Sequence, residues 1–324
     1  KAAVDAGAGS VMTSFNDING VPATANKWLF TDLLRTQWGF GGLVVSDYTS
    51  VGELSNHGLG NLRQVAARAL AAGLDMDMVS EGLYKHWKAN LESGDVFLQE
   101  IDRACRRVLE AKYRLGLFAD PFVRLRGRTA EREQAARLAL EAARASAVLL
   151  KNEGGVLPLR KDAKVALVGP FADSKYDLFG AWVLAGDADE VVTVKDGMAR
   201  YTRNLRYAPG AIVTDNPNLA RVIRYDVQGH GNPDDLLSEA LAAARDADVV
   251  VAVMGETSGM SGESASMTDI GLQKTQRRLL EALVDAGKEV ILVLVNGRPM
   301  TLEWENENCK AILEAWAPGV QGGN

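Results

Sequence analysis

DVVVAVMG (248–255), ETSGMSGESASMTDI (256–270), GLQKTQRRLLEALVDAGK (271–288) and EVILVLVN (289–296) follow one another without interruption. The first and last are short, unbroken apolar runs rich in β-branched residues, the pattern of strands buried on both faces of a parallel sheet. Between them the spacing predicts a polar loop from Glu256 to Gly271 and a helix over 272–286. The same rhythm extends both ways, with a helix expected over 234–246, a strand KVALVG at 164–169 and a further strand within KAILEAW at 310–316. Upstream lie a helix from about 130 to 147 and a turn-rich segment, NEGGVLPL (152–159). Strands alternating with helices give an open, mostly parallel α/β sheet with helices on both faces.

Nearer the N-terminus a second alternation appears. GSVMTSFN (9–16) and GLVVS (42–46) suit buried strands, and residues 26–37 between them are compatible with a helix. NLRQVAARALAAG (61–73) reads as a helix ended by Gly73 and feeds directly into the strand-like LDMDMV (74–79). From Leu98 to Leu115, apolar residues at 98, 101, 105, 108, 109 and 115 predict a helix capped by Gly116. FADPFVRLRGR (118–128) then breaks the pattern with proline, glycine and charge. The expected organisation is a β/α domain over 1–118, a linker over 119–130 and a second α/β domain over 131–324.

Composition excludes several classes. With 324 residues, 47% of them hydrophobic and 24% charged, the chain is built for substantial cores, and none of its apolar runs approaches a membrane span. Net charge is -6 with Lys and Arg scattered, so no basic footprint for nucleic acid or a lipid surface exists. Cys105 and Cys309 are far apart, and Cys105 falls on an apolar helical stripe, which favours a buried free thiol over a disulfide. The chain starts without Met on KAAVDAG and stops at GVQGGN, where a loop would lead into a helix. Both ends are therefore expected to be internal to a longer protein. A homodimer is left open.

No phosphate cradle is present: there is no Walker pattern, and VGPFAD after the 165–169 strand lacks G-x-G-x-x-G. No nucleotide cofactor is expected. His57, His86 and His230 have no second His or Cys at i+3 or i+4, which argues against a metal site, and G-x-S-x-G does not occur. Carboxylates remain. Asp47 follows Leu43, Val44, Val45 and Ser46, just past the end of a buried strand, where it could be a nucleophile, a metal ligand or a helix cap. Glu256 and Glu263 lie on GETSGMSGESASMTD (255–269), either a mobile loop at the ligand crevice or a solvated surface loop. Two carboxylates without cofactor or metal are the minimum apparatus for glycoside hydrolysis, one ionised to attack and one held protonated by burial or a like charge.

SVMTSFNDINGVPATANKWLFTDLLRTQWGFGGLVVSDY (10–48) resembles the sixth-to-seventh strand region of the family 3 glycoside hydrolase barrel. The likeness runs on through AAGLDMDMVSEG (71–82), RRVLEAKYRLGLF (106–118), SAVLLKNEGGVLPL (146–159), KVALVGPFAD (164–173) and NGRPMTLEW (296–304). It is strongest to bacterial periplasmic-type β-glucosidases, and it implies the C-terminal part of a (β/α)8 barrel followed by an α/β sandwich domain. It implies retaining, exo-acting hydrolysis of terminal β-D-glucosyl residues from short oligosaccharides or aryl glycosides, in the periplasm or outside the cell, with a cytoplasmic location not excluded. β-Xylosidase, β-N-acetylglucosaminidase and a non-catalytic sugar-binding relative are the alternatives; the Glu263 loop argues against the second, and retention of both carboxylates against the third.

Under the same resemblance Asp47 is the nucleophile of an S-D-W/Y motif, and Glu263, in Ser261-Gly262-Glu263, is the acid/base, with Glu256 the alternative or a substrate hydrogen bonder. Tyr48 would stack on the leaving sugar, and Trp182, in LFGAW, resembles a segment that approaches the site, or else packs in the core. Asn16 and Met12 would support or line the site, and Asp77 is expected to be structural. Met267 stands where the family usually carries Arg, so a cation expected near the site is missing, which leaves fine specificity open. The Lys-His segment and the acidic residue that hold the sugar in the family lie upstream of residue 1.

Overall fold

A computed structural model describes residues 1–126, 132–263 and 265–324. The chain divides into two compact units, Lys1–Thr129 and Ala130–Asn324. The expected linker over 119–130 is described as turns only to Arg126; its remainder lies outside the described residues.

In the first unit β1 (Ser10–Met12), the hairpin β2 (Asp17–Ile18) and β3 (Val21–Pro22), and β4 (Leu43–Val45) alternate with helices at 28–37, 50–53, 62–72, 82–93 and 98–114. β1 and β4 pair in parallel, Met12 opposite Val45, and Val45 also bridges in parallel to Met76. The expected strand over 74–79 therefore reduces to one bridge, because its backbone turns away at Val79 (φ +70°). The helix read over 26–37 is a π-helix, Trp28–Gln37.

Helix Leu62–Ala72 shows how local chemistry sets its bounds. Asn61 accepts from the Gln64 N–H while the Gln64 side chain accepts from the Asn61 N–H, so two free amides at the helix start are satisfied reciprocally. Gly73 at φ +114° ends it in the left-handed region. The buried stripe Val65, Ala66, Ala69 and Leu70 falls at helical spacing. Val44, fully buried, joins Phe30, Leu34, Val65, Ala66 and Leu74 in this unit's core. Cys105 is exposed rather than buried, because Ala104, one residue before it, takes the inward position of its helix; both cysteines are free thiols.

The second unit is built on a six-stranded sheet in the order β5-β10-β9-β8-β6-β7, where β5 is Val148–Asn152, β6 Val165–Val168, β7 Leu205–Ala208, β8 Val249–Gly255, β9 Val290–Val295 and β10 Ala311–Glu314. All pairings are parallel except β10 with the edge strand β5. Successive side chains on a strand point to opposite faces, and the core divides accordingly. Even-numbered Ala166, Val168, Val250, Ala252, Met254, Leu292 and Leu294 pack with Ala240, Leu279, Leu280 and Leu283 from helices Pro233–Ala244 and Lys274–Asp285. Odd-numbered Val165, Leu167, Val249, Val251, Val253 and Ile291 pack with Phe171, Leu178 and Met260 on the other face. Each of the fully buried Leu279, Leu280 and Leu283 stabilises the unit by about 2–5 kcal/mol over alanine.

Strand order fixes where a ligand crevice forms. From β6 the chain moves outward to β7 and then returns to place β8 on the other side of β6. The switch point therefore lies between β6 and β8, and the loops after these two strands meet beyond their C-terminal ends.

Candidate active site

In the first unit, the end of β4 is fixed by its backbone. Ser46, fully buried, donates its N–H to the Met76 carbonyl (2.9 Å), accepts at Oγ from the Met78 N–H (2.7 Å) and donates that hydroxyl to the Asp47 carbonyl (2.9 Å). Asp47 Oδ1 accepts from the Tyr48 N–H at 2.7 Å, which orients a half-buried carboxylate. Thr49 (φ +61°) and Val79 (φ +70°) are β-branched residues in the left-handed region, and the Thr49 N–H donates to the Met78 carbonyl at 3.1 Å. Such strain costs about 1–3 kcal/mol per residue and gathers at functional sites. Parallel pairing brings Met12, Asp47 and Tyr48 to one end of the strand pair; Met12 and Tyr48 are exposed. Asn16 is also exposed, and its carbonyl accepts from the Ala23 N–H where the β2–β3 hairpin closes.

Beneath these residues lies a group that the sequence did not single out. Asp75, its side chain fully buried, accepts at Oδ2 from Arg35 Nη2 (2.6 Å) and the Val44 N–H (2.9 Å), and at Oδ1 from Arg107 Nη1 (2.9 Å). It ties β4 to two helices. Asp77, two residues on, accepts at Oδ2 from the Leu83 N–H (3.2 Å) at the start of helix Gly82–Ser93.

In the second unit, β8 ends on Gly255, whose φ of +138° and close approach to Val295 exclude a side chain: a Cβ would stand 2.0 Å from the Val295 carbonyl oxygen. Gln276, fully buried, accepts from the Gly255 N–H (2.8 Å) and donates to the Gly255 carbonyl (3.0 Å). Glu256 follows at 3% exposure, its Oε2 accepting from Arg298 Nε at 2.9 Å. Burial raises the Glu256 carboxyl above its ordinary range, against the opposing effect of Arg298. The Arg298 Nη2 also donates to the Met260 carbonyl. Asp177 Oδ1, from the loop after β6, accepts from the Ser258 N–H at 3.0 Å.

Glu256, Met260 and Ser261 are buried, so the first half of the loop is fastened rather than mobile or solvated. Glu263 is exposed. Trp182 reaches the same place from the β6 loop: a Cβ on Gly262 would lie 3.8 Å from its Cε2 and Nε1. At 70% exposure it is no core residue. Met267 packs against the odd-numbered face of the sheet. Arg298, from the segment after β9, stands beside Glu256, 42 residues away, a placement that sequence spacing gave no reason to expect. Among the described residues no cluster of His, Cys, Asp and Glu could hold a metal, and no helix is long and apolar enough to cross a membrane.

Residues 1–111 match the model of the glycosyl hydrolase family 3 N-terminal domain, and residues 147–324 match that of the family's C-terminal domain. The chain belongs to glycosyl hydrolase family 3. Over its full length it is 42% identical to a periplasmic β-glucosidase of Salmonella typhimurium, of which it covers 44%. Over 99% of its length it is 34% identical to a β-xylosidase of Formosa agariphila, of which it covers 45%. The crystal structure of a β-glucosidase from Listeria innocua in complex with isofagomine matches 99% of the chain with a TM-score of 0.86 and 34% identity, and the chain covers 43% of that protein. It thus spans less than half the length of these family 3 relatives. Within the family, the first unit is the C-terminal part of the (β/α)8 barrel and the second is the α/β sandwich domain.

Proposed function

We propose that this chain forms part of a retaining, exo-acting β-glucosidase that releases terminal β-D-glucosyl residues from short oligosaccharides or aryl glycosides. One observation carries the assignment: in a family 3 chain, Asp47 stands backbone-anchored and accessible just past the end of a buried parallel strand, the place where barrel enzymes present reacting groups. Asp47 attacks the anomeric carbon and forms a glycosyl-enzyme while Glu263 gives its proton to the departing oxygen. Glu263 then takes a proton from water, which attacks the same carbon and frees Asp47. The burial of Glu256 and its pairing with Arg298 favour Glu263 over it for the acid/base role, since a general acid must come within hydrogen-bond reach of the leaving oxygen. Tyr48, Trp182 and Met12, all exposed, offer apolar surface to a sugar, and Asn16 a polar edge.

The Salmonella relative's description supports a periplasmic location. The Formosa relative supports a second reading, β-xylosidase activity, on the same residues. A 2-fluoro glucoside that traps the glycosyl-enzyme, followed by peptide mapping of the full-length protein, is expected to place the label on Asp47. A label on any other residue overturns the assignment. Nitrophenyl glucoside and xyloside compared by kcat/KM separate the two substrate readings.

A further inference from the structure

The loop that carries Glu263 is fastened by residues for which a family-level reading gives no role. A buried carboxylate such as Glu256 needs a partner, and one arm of the Arg298 guanidinium, Nε, satisfies that need at 2.9 Å. The other arm is not required for it. Arg298 Nη2 instead donates to the carbonyl of Met260, four residues further along the loop and three before Glu263. The guanidinium's rigid fork makes these two acceptors, at the strand end and at the loop turn, into one fixed geometry. Two further contacts hold the same turn. Ser261 is seated against Gly297, where a Cβ would come within 2.1 Å of the Ser261 Oγ, and Met260 is buried in the odd-numbered core. Beyond Ser261 the chain emerges, with Gly262 and Glu263 exposed.

We infer that Arg298 is a positioning residue for Glu263: by joining the Glu256 carboxylate to the Met260 carbonyl it sets where the acid/base loop leaves the surface, and so where the proton is delivered. This rests on Glu263 being the acid/base. Displacing a catalytic group by about 1 Å can cost on the order of 100-fold in rate, and the loss falls on the step that uses that group. A merely structural role for Arg298 would lower all activities together.

Leaving groups separate the two. Phenyl β-D-glucoside needs proton donation to its departing oxygen, whereas 2,4-dinitrophenyl β-D-glucoside leaves without it. In the full-length protein, Arg298→Met is expected to lower kcat/KM for the phenyl glucoside about 10–100-fold and for the dinitrophenyl glucoside less than about 3-fold. Arg298→Lys, which keeps the charge but can no longer grip both acceptors rigidly, should fall between wild type and Arg298→Met on the phenyl substrate. A uniform loss on both substrates, or no loss on either, overturns the inference. Glu263→Gln is measured alongside. If it shows the leaving-group dependence and Arg298→Met does not, the positioning role alone fails; if Glu263→Gln shows none, the acid/base assignment fails and takes the inference with it. Should Arg298→Met give no cooperative melt, Glu256→Gln frees the same guanidinium from its other end, and the same two substrates decide.

Discussion

The ends of β4 and β8 pose one problem and solve it in two ways. Each is a buried parallel strand that delivers a carboxylate to its C-terminal edge. At β4 the carboxylate stays where the strand puts it: Asp47 follows Val45 by two residues, and the fixing is done by backbone hydrogen bonds through Ser46 and by two β-branched residues held at positive φ. At β8 the first carboxylate is withdrawn. Glu256 is buried and ion-paired, and an exposed carboxylate appears only at Glu263, after a turn clamped by Arg298 and Asp177. Position after a parallel strand therefore locates a reactive edge without saying which acidic residue serves it. Burial is what separates the two candidates on the β8 side, because a carboxylate paired inside the fold offers less of its face to a substrate than an exposed one.

The largest expected effect lies at the β4 end. Asp47→Asn keeps the side-chain shape and the Tyr48 contact but removes the charge that the proposed attack needs, so kcat should fall at least on the order of 10³-fold with the thermal midpoint nearly unchanged. Residual activity near wild type in a mass-verified preparation would break the comparison at its first half. Next comes the support beneath β4. Asp75→Ala leaves Arg35 and Arg107 without their shared anion and should cost about 3–5 kcal/mol in urea unfolding of this unit. A loss below 1 kcal/mol would mean the strand end does not depend on that network. At β8 the corresponding support is Gly255, where Gly255→Ala meets the Val295 carbonyl at an unfavourable φ. That should cost about 1–3 kcal/mol by the same measurement.

The smallest effect is a pH dependence. Burial raises the Glu314 carboxyl above its ordinary value of 4.5, outweighing the hydrogen bonds from the Trp316 N–H and the Asn296 side chain. The folded state thus holds this proton more tightly than the unfolded chain does, and stability falls as pH rises from about 4.5 through the raised value. Glu314→Gln should flatten that fall, and melting curves of both proteins between pH 4 and pH 8 will show whether the slopes differ.

What the sequence made legible follows the range of the interactions. VVVAVMG and VILVLV could be read as parallel strands because burial on both faces writes itself as an unbroken apolar run. The end of helix Leu62–Ala72 was legible from Gly73, since the conformation required there belongs to one residue type. β5 was not: Val148, Leu149 and Leu150 are exposed on an edge strand and continue the apolar pattern of the preceding helix without a break. β7, four residues long, carries too little periodicity to stand out. In the candidate site, strand-end position gave Asp47 and the polar loop gave Glu256 and Glu263. Asp75 with Arg35, and Glu256 with Arg298, are pairs 40 and 42 residues apart, and nothing local marks which of the two aspartates in LDMDMV goes inward.

The edge position of β5 also bears on the order in which the second unit can be made. Among the described residues its one neighbour in the sheet is β10, and the pairing of Asn152 with Ala311 joins segments far apart in the chain. At ribosomal rates of about 5–20 residues per second, β5 leaves the exit tunnel roughly 8–30 s ahead of the strand it must pair with. Through that interval the backbone groups of Val148–Asn152 that later pair with β10 are unmated, so a nascent chain stalled before β10 presents an open strand edge there that the paired strand does not.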